Sequence, residues 1–251
     1  MAFFKSGNPV LSEKSFSDTL AHLHEERMTV RGTANKFGLL LIMVLGAASF
    51  SWSLFYQGYN VMPLMIGSAI GGFIVALIIS FKKTWAPKLA LAYALLEGIF
   101  IGAISAVFNY AFAESYPGIV MQAVLLTLGT AGAMYGLYHF GIIKATQTFK
   151  KVIITATAGI ALFYLIAFVL RLFGVQMPYL HDNSAIGIGI SLFIVAIAAL
   201  NLILDFDRIE EGAAQGAPKY YEWFCAFGLL VTLVWLYLEM LRLLSKLSSR
   251  D

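Results

Sequence analysis

Charge is scarce in this chain. Of its 251 residues only 12% are charged, 60% are hydrophobic, and the mean hydropathy is +0.81. A soluble domain is about half apolar and about a quarter charged, so the composition argues against a soluble globular protein. The net charge of +3 is too small to suggest a nucleic-acid partner. The single cysteine, Cys225, lies in an apolar run, which excludes a disulfide framework and a cysteine metal site. The four histidines, at 22, 24, 139 and 181, are not spaced as metal ligands, and His22 and His24 are off one helical face. There is no glycine-rich phosphate loop after a strand, no Ser–His–Asp set and no HExxH. No enzymatic activity and no cofactor is therefore expected. No segment alternates with period two, which argues against a membrane barrel. No long internal repeat supports an inverted-repeat transporter. No short apolar core after basic residues opens the chain, so insertion is expected to rely on its own membrane spans.

What is present is apolar sequence in long runs. A bilayer-crossing helix needs about 20 apolar residues. Seven runs reach that length, at about 37–57, 61–81, 88–112, 118–141, 152–173, 185–206 and 223–244. Between them lie short breaks such as Gly58-Tyr59-Asn60 and Tyr116-Pro117-Gly118. The expected organisation is a segment 1–36 on one side of the membrane, a seven-helix domain over 37–244 and a short tail, 245–251. Orientation follows from lysine and arginine, which favour cytoplasmic loops. Lys5, Lys14, Arg27, Arg31, Lys36, Lys82, Lys83, Lys88, Lys144, Lys150, Lys151, Arg208 and Lys219 share one side, against Arg171 on the other before the tail. The N-terminus is thus expected in the cytoplasm. Arg242, Lys246 and Arg250 break the rule if the seventh run crosses fully. Either such late charges carry little weight, or the last run dips and returns, or it is buried among the others. Its Trp235, Tyr237 and Glu239 suit an enclosed helix better than a lipid-facing one. Three glycine pairs at four-residue spacing, Gly67/Gly71, Gly98/Gly102 and Gly132/Gly136, read as faces that let helices approach closely.

Against this background, acids within the runs carry the information, because a carboxylate in hydrocarbon is costly and tends to be functional. Glu97 falls near the middle of the third run. It reads either as a hydrogen-bonded acid that specifies packing or as part of an ion or proton path. Asp205 and Asp207 stand where the sixth run ends, followed by Arg208, Glu210 and Glu211. With a helix running on to Gly212 as C-cap, Asp205 is seven residues in, about 10 Å from the end. A second acid beside a carboxylate at that depth makes a pair that can share a proton, the physical basis of a pH-sensitive latch. Asp207, Glu210 and Glu211 read more simply as a solvated helix end. Glu239 has Arg242 three residues on, so a local pair competes with any wider role. Glu222, just before Trp223, reads as interfacial.

Leu204-Asp-Phe-Asp-Arg-Ile209, Gly216-Ala-Pro-Lys-Tyr-Tyr-Glu-Trp223 and Leu236-Tyr-Leu-Glu-Met-Leu-Arg242 resemble the C-terminal half of the Bax inhibitor-1 family. Leu96-Glu-Gly-Ile-Phe-Ile-Gly102 is similar to its third span. Ser6-Gly-Asn-Pro-Val-Leu-Ser-Glu-Lys-Ser-Phe16 and Met28-Thr-Val-Arg-Gly-Thr33 resemble a bacterial branch with a longer N-terminal segment. The resemblance implies an all-α integral membrane protein of a bacterial inner membrane, with six helices around a central seventh. It also implies a calcium leak gated by pH through paired acids on the sixth and seventh helices. By motif those acids are Asp205 and Glu239, where relatives commonly carry aspartate at the second position. Some bacterial relatives are associated with a membrane-bound AAA protease.

Two functions follow as expectations. One is a pH-sensitive cation leak with calcium as the transported ion, Asp205 and Glu239 as gate acids, and Glu97, Asp207 and Glu222 along the path. The other is a membrane regulator without transport that binds a protease or another membrane complex through residues 1–36. A proton-coupled transporter is a third, for which the sequence names no substrate. Simple geometry opposes direct pairing of the gate acids. A helix starting near Pro218 puts Glu239 about 21 residues, or roughly 32 Å, along its length. Pairing with Asp205 then needs a tilted, displaced or non-crossing last helix. Otherwise Glu222 is the nearer acid.

Overall fold

A computed structural model describes residues 27–174 and 183–249. The Ser6–Phe16 motif, His22, His24, His181 and Arg250 lie outside the described residues. Seven helices follow one another: α1 (Val30–Tyr56), α2 (Met62–Phe81), α3 (Ala86–Ala111), α4 (Ile119–His139), α5 (Gln147–Leu172), α6 (Ala185–Ala214) and α7 (Tyr220–Ser248). Each is long and apolar enough to cross a membrane. At 1.5 Å per residue, even the 20-residue α2 matches a hydrocarbon core about 30 Å thick. Among the described residues the only bridge between extended segments is Arg27 with Pro218.

The helices outrun the apolar runs, because hydropathy reads the span and not the helix. Thr29 caps α1 by accepting from the Gly32 amide, so helix begins at Val30 rather than with the apolar run at 37. Thr146 does the same for α5 through Phe149. At the other limit α6 passes Gly212 and ends at Ala214, with Gln215 as C-cap. Gly216 takes the left-handed turn (φ +68°) that sends the chain into α7. The expectation of a cap at Gly212 is corrected accordingly. Residues 245–248, assigned to a tail, continue α7.

Helix α7 is the most enclosed element. It packs against α1, α3, α4 and α6, while α2 lies on α3 and α5 lies on α6. The central seventh helix is thus present, with four helices in close contact and two on the flanks. It is long enough to cross fully, and its last described basic residues are bonded within the bundle. Arg242 bonds Glu239, and Lys246 donates to the Gly187 carbonyl in the first turn of α6, at 2.9 Å. These two cations thus act as packing groups and not as loop charges.

Only one of the three glycine pairs joins helices closely. A Cβ on Gly98 would lie 2.5 Å from the Val44 carbonyl, and one on Gly102 would run into the Ala48 carbonyl and Ser51, so α3 sits directly on the α1 backbone. Gly71 meets only Leu96 at an ordinary distance, while Gly67, Gly132 and Gly136 meet nothing. Those three point away from any neighbouring helix.

Candidate functional site

The acids fall at separate levels along the bundle. At the basic end, Glu222 opens α7 and is fully buried. Its carboxylate accepts from the Thr29 amide at 2.8 Å, from the Thr29 hydroxyl at 3.0 Å and from Lys36, with Lys219 at 3.5 Å. Met28 adds a backbone bond to the Ala217 carbonyl at 2.7 Å. A Cβ on Gly32 would strike the same carboxylate. Two helix starts are fastened here around one acid, so Glu222 is a buried clasp at the start of α7. At the same end of the bundle, Asp207 pairs with Lys150 at 2.5 Å, Lys150 reaches Glu211 at 3.4 Å, and Tyr138 donates to Glu210 at 2.7 Å. These contacts tie the end of α6 to the α4–α5 turn. They fit the solvated-end reading of Asp207.

Asp205 lies one level deeper. It is nine residues from Ala214, about 14 Å from the helix end. Its side chain faces a cleft of about 290 Å³ between α2, α6 and α7, shared with Ser80, Arg208, Cys225, Gly228 and Thr232. The Thr232 hydroxyl is a polar neighbour of it on α7, and Arg208 acts on it electrostatically. One carboxylate oxygen, Oδ2, is buried without a hydrogen-bond partner. Such an atom is rare in a folded protein and costly unless something else satisfies it. An added Cβ on Gly228 would meet nothing, so a glycine keeps the α7 wall open opposite the acid. Asn201, one turn earlier, turns to α5 and bonds Thr157 at 2.8 Å; it does not serve Asp205.

Glu239 occupies a third level and is 2% exposed. It accepts from Arg242 at 2.9 and 3.1 Å and from the Tyr164 hydroxyl at 2.8 Å. Arg242 also donates to Tyr164 and lies over its ring. The local Glu239–Arg242 pair is therefore present, extended to α5 by a tyrosine. Asp205 and Glu239 are not brought together. Glu97, on α3, is hydrogen-bonded by Tyr93 one turn before it and lies against Gly72 of α2. Tyr93 in turn packs edge-on to Phe227 of α7. Among the described residues, no three histidine, cysteine or acidic side chains gather as a metal-holding group.

A family model described as Bax inhibitor 1 like matches residues 8–249. The chain belongs to the Bax inhibitor 1 like family. No curated protein and no solved structure matches it. Within this member of the family, sequence reasoning missed Thr232, Gly228 and Cys225 as neighbours of Asp205, and Tyr164 as a partner of Glu239. The first three were findable. An α6–α7 hairpin turning at Gly216 places Asp205 opposite the α7 segment around Gly228 and Thr232. Tyr164 gave no such signal, since α5 is not a neighbour of α7 in sequence or along its backbone.

Proposed function

We propose that this chain is a pH-sensitive cation leak, with calcium as the transported ion and Asp205 as the gating acid. The observation that supports the reading is the unpartnered Oδ2 of Asp205 in the cleft between α2, α6 and α7. A buried carboxylate oxygen can be satisfied by a cation or by a proton, as well as by a hydrogen-bond donor. Hard cations such as calcium take oxygen ligands, and a proton competes for the same lone pair. That competition is the source of pH sensitivity. Arg208 at the cleft supplies a charge that Asp205 holds when ionised and releases when neutral. The eleven described lysines and arginines at the end of the bundle where α1 and α7 start favour a cytoplasmic N-terminus, in a bacterial inner membrane.

The test is calcium flux into proteoliposomes across pH. Asp205→Asn is expected to remove the pH dependence that the parent shows. Flux that matches the parent at every pH would remove Asp205 from the mechanism. A second reading, a regulator of a membrane-bound AAA protease or similar complex, is favoured by one observation. Residues leading out of the N-terminal segment are clamped to α7 through Met28, Thr29 and Glu222, so a partner holding that segment would pull on the central helix. A flux-dead chain that retains a partner through residues 1–36 would favour this reading.

A further inference from the structure

The ring around α7 is incomplete. Helices α1 and α4 are not packed on one another. Gly98 and Gly102 draw α1 onto α3, whose Ile101, Gly102 and Ser105 form the back of the gap. Between α1 and α4 remains a cleft of about 270 Å³, with Leu45 and Leu128 at its rim and Leu233, Val234 and Tyr237 of α7 at its floor. The two rim leucines are largely exposed, while the three floor residues are buried. Polar groups at the back are already engaged: Ser105 and Tyr237 bond each other at 2.6 Å, and Thr127 donates to the Ala123 carbonyl. The cleft thus offers almost nothing but hydrocarbon to an occupant.

We propose that this cleft binds one acyl chain of a phospholipid from the leaflet opposite the basic end. Three observations fix the occupant. The lining runs along α1 from Leu41 to Trp52, which is 11 residues or about 16 Å, close to half of a hydrocarbon core about 30 Å thick. Its outer limit is marked by aromatic rings suited to the headgroup level. Trp52 packs on Tyr56, Phe55 on Tyr110, and Asn109 donates to Tyr56. Finally, the mouth opens between two membrane-crossing helices, where the surrounding solvent is lipid. A chain held there rests on the central helix itself, so lipid can brace α7 directly. The inference stands apart from the cation reading, since it uses none of the acids.

The experiment is photolabelling of the full chain in nanodiscs of phosphatidylcholine carrying a diazirine in one acyl chain, with adducts mapped by mass spectrometry. Adducts on Leu233, Val234 or Tyr237 are expected, together with adducts on outward residues such as Ile42 and Leu125. Filling the cleft with Val124→Phe, or separately Ala48→Phe, is expected to cut floor labelling at least several-fold while leaving outward labelling in place. Retained outward labelling shows that the filled variant is still inserted in the bilayer, and a thermal unfolding transition in detergent like the parent's shows that it is still folded. Parent adducts confined to outward residues would overturn the proposal, as would floor labelling unchanged in both filled variants.

Discussion

Gly102→Ala and Gly136→Ala are the same change at the same sequence spacing, yet opposite effects are expected. At Gly102 the new methyl meets the Ala48 carbonyl and the Ser51 hydroxyl well inside contact distance, and Ser51 is itself buried. The obstruction is α1 backbone, which cannot rotate aside. The two helices must part by about an ångström over the turns carrying Gly98 and Gly102, and overpacking of this kind costs about 1–3 kcal/mol. Alanine recovers up to about 1 kcal/mol of helix propensity at either site. At Gly136 an added Cβ meets nothing, so only the gain remains. The two variants are expected to differ by about 2 kcal/mol, with Gly102→Ala below the parent and Gly136→Ala at or above it. Thermal unfolding in detergent, followed by circular dichroism, reads this as several degrees at about 2–4 °C per kcal/mol. Equal shifts for the two variants would refute the assignment of α1–α3 as the glycine-mediated contact.

The clasp and the Glu239 level give two further tests. Glu222→Gln leaves Lys36 without its counter-charge and weakens the acceptor for Thr29, an expected loss of about 1–3 kcal/mol; adding Lys36→Met removes the stranded charge and is expected to restore part of it, because a buried pair is costlier to halve than to delete. A double variant as unstable as the sum of the singles would deny the pairing. Glu239→Gln and Tyr164→Phe touch one hydrogen-bonded group, so their double-mutant cycle is expected to give a coupling of about 0.5–3 kcal/mol; additivity in thermal unfolding would show that α5 is not joined to α7 there.

Much of the architecture was legible because it follows from a single quantity, the length of apolar runs. Seven runs became seven helices, and the enclosed character of the last was readable from Trp235, Tyr237 and Glu239 on one segment. Packing detail was less legible. Three glycine pairs look alike in sequence, and only the neighbour opposite each pair decides whether it is a contact, as Val44 and Ala48 do for Gly98 and Gly102. The same holds for acids. Glu222 and Asp207 are both acids at helix ends near water, but Glu222 is enclosed because Thr29 and Lys36 arrive from the start of α1, nearly two hundred residues earlier. No local pattern around Glu222 announces that.

The hairpin register also limits how Asp205 and Glu239 can act together. Asp205 faces Thr232, and Glu239 is seven residues further along α7, about 10 Å on a helix. To meet Asp205, Glu239 would have to move by that distance along α6, or nearly two turns. The slide would draw Lys246 off the Gly187 carbonyl at one end and Glu222 off Thr29 and Lys36 at the other, and it would pull Glu239 and Arg242 away from the Tyr164 hydroxyl of α5. Each of those is a polar group in or near the bundle interior, where leaving one unpaired costs about 1–3 kcal/mol and more when it is charged. Several such losses together rival the whole stability of a typical fold. On the proposed reading, gating at Asp205 is therefore local, an exchange of its own partners within the α2–α6–α7 cleft, while Glu239 joins α5 to the far half of α7 through Tyr164.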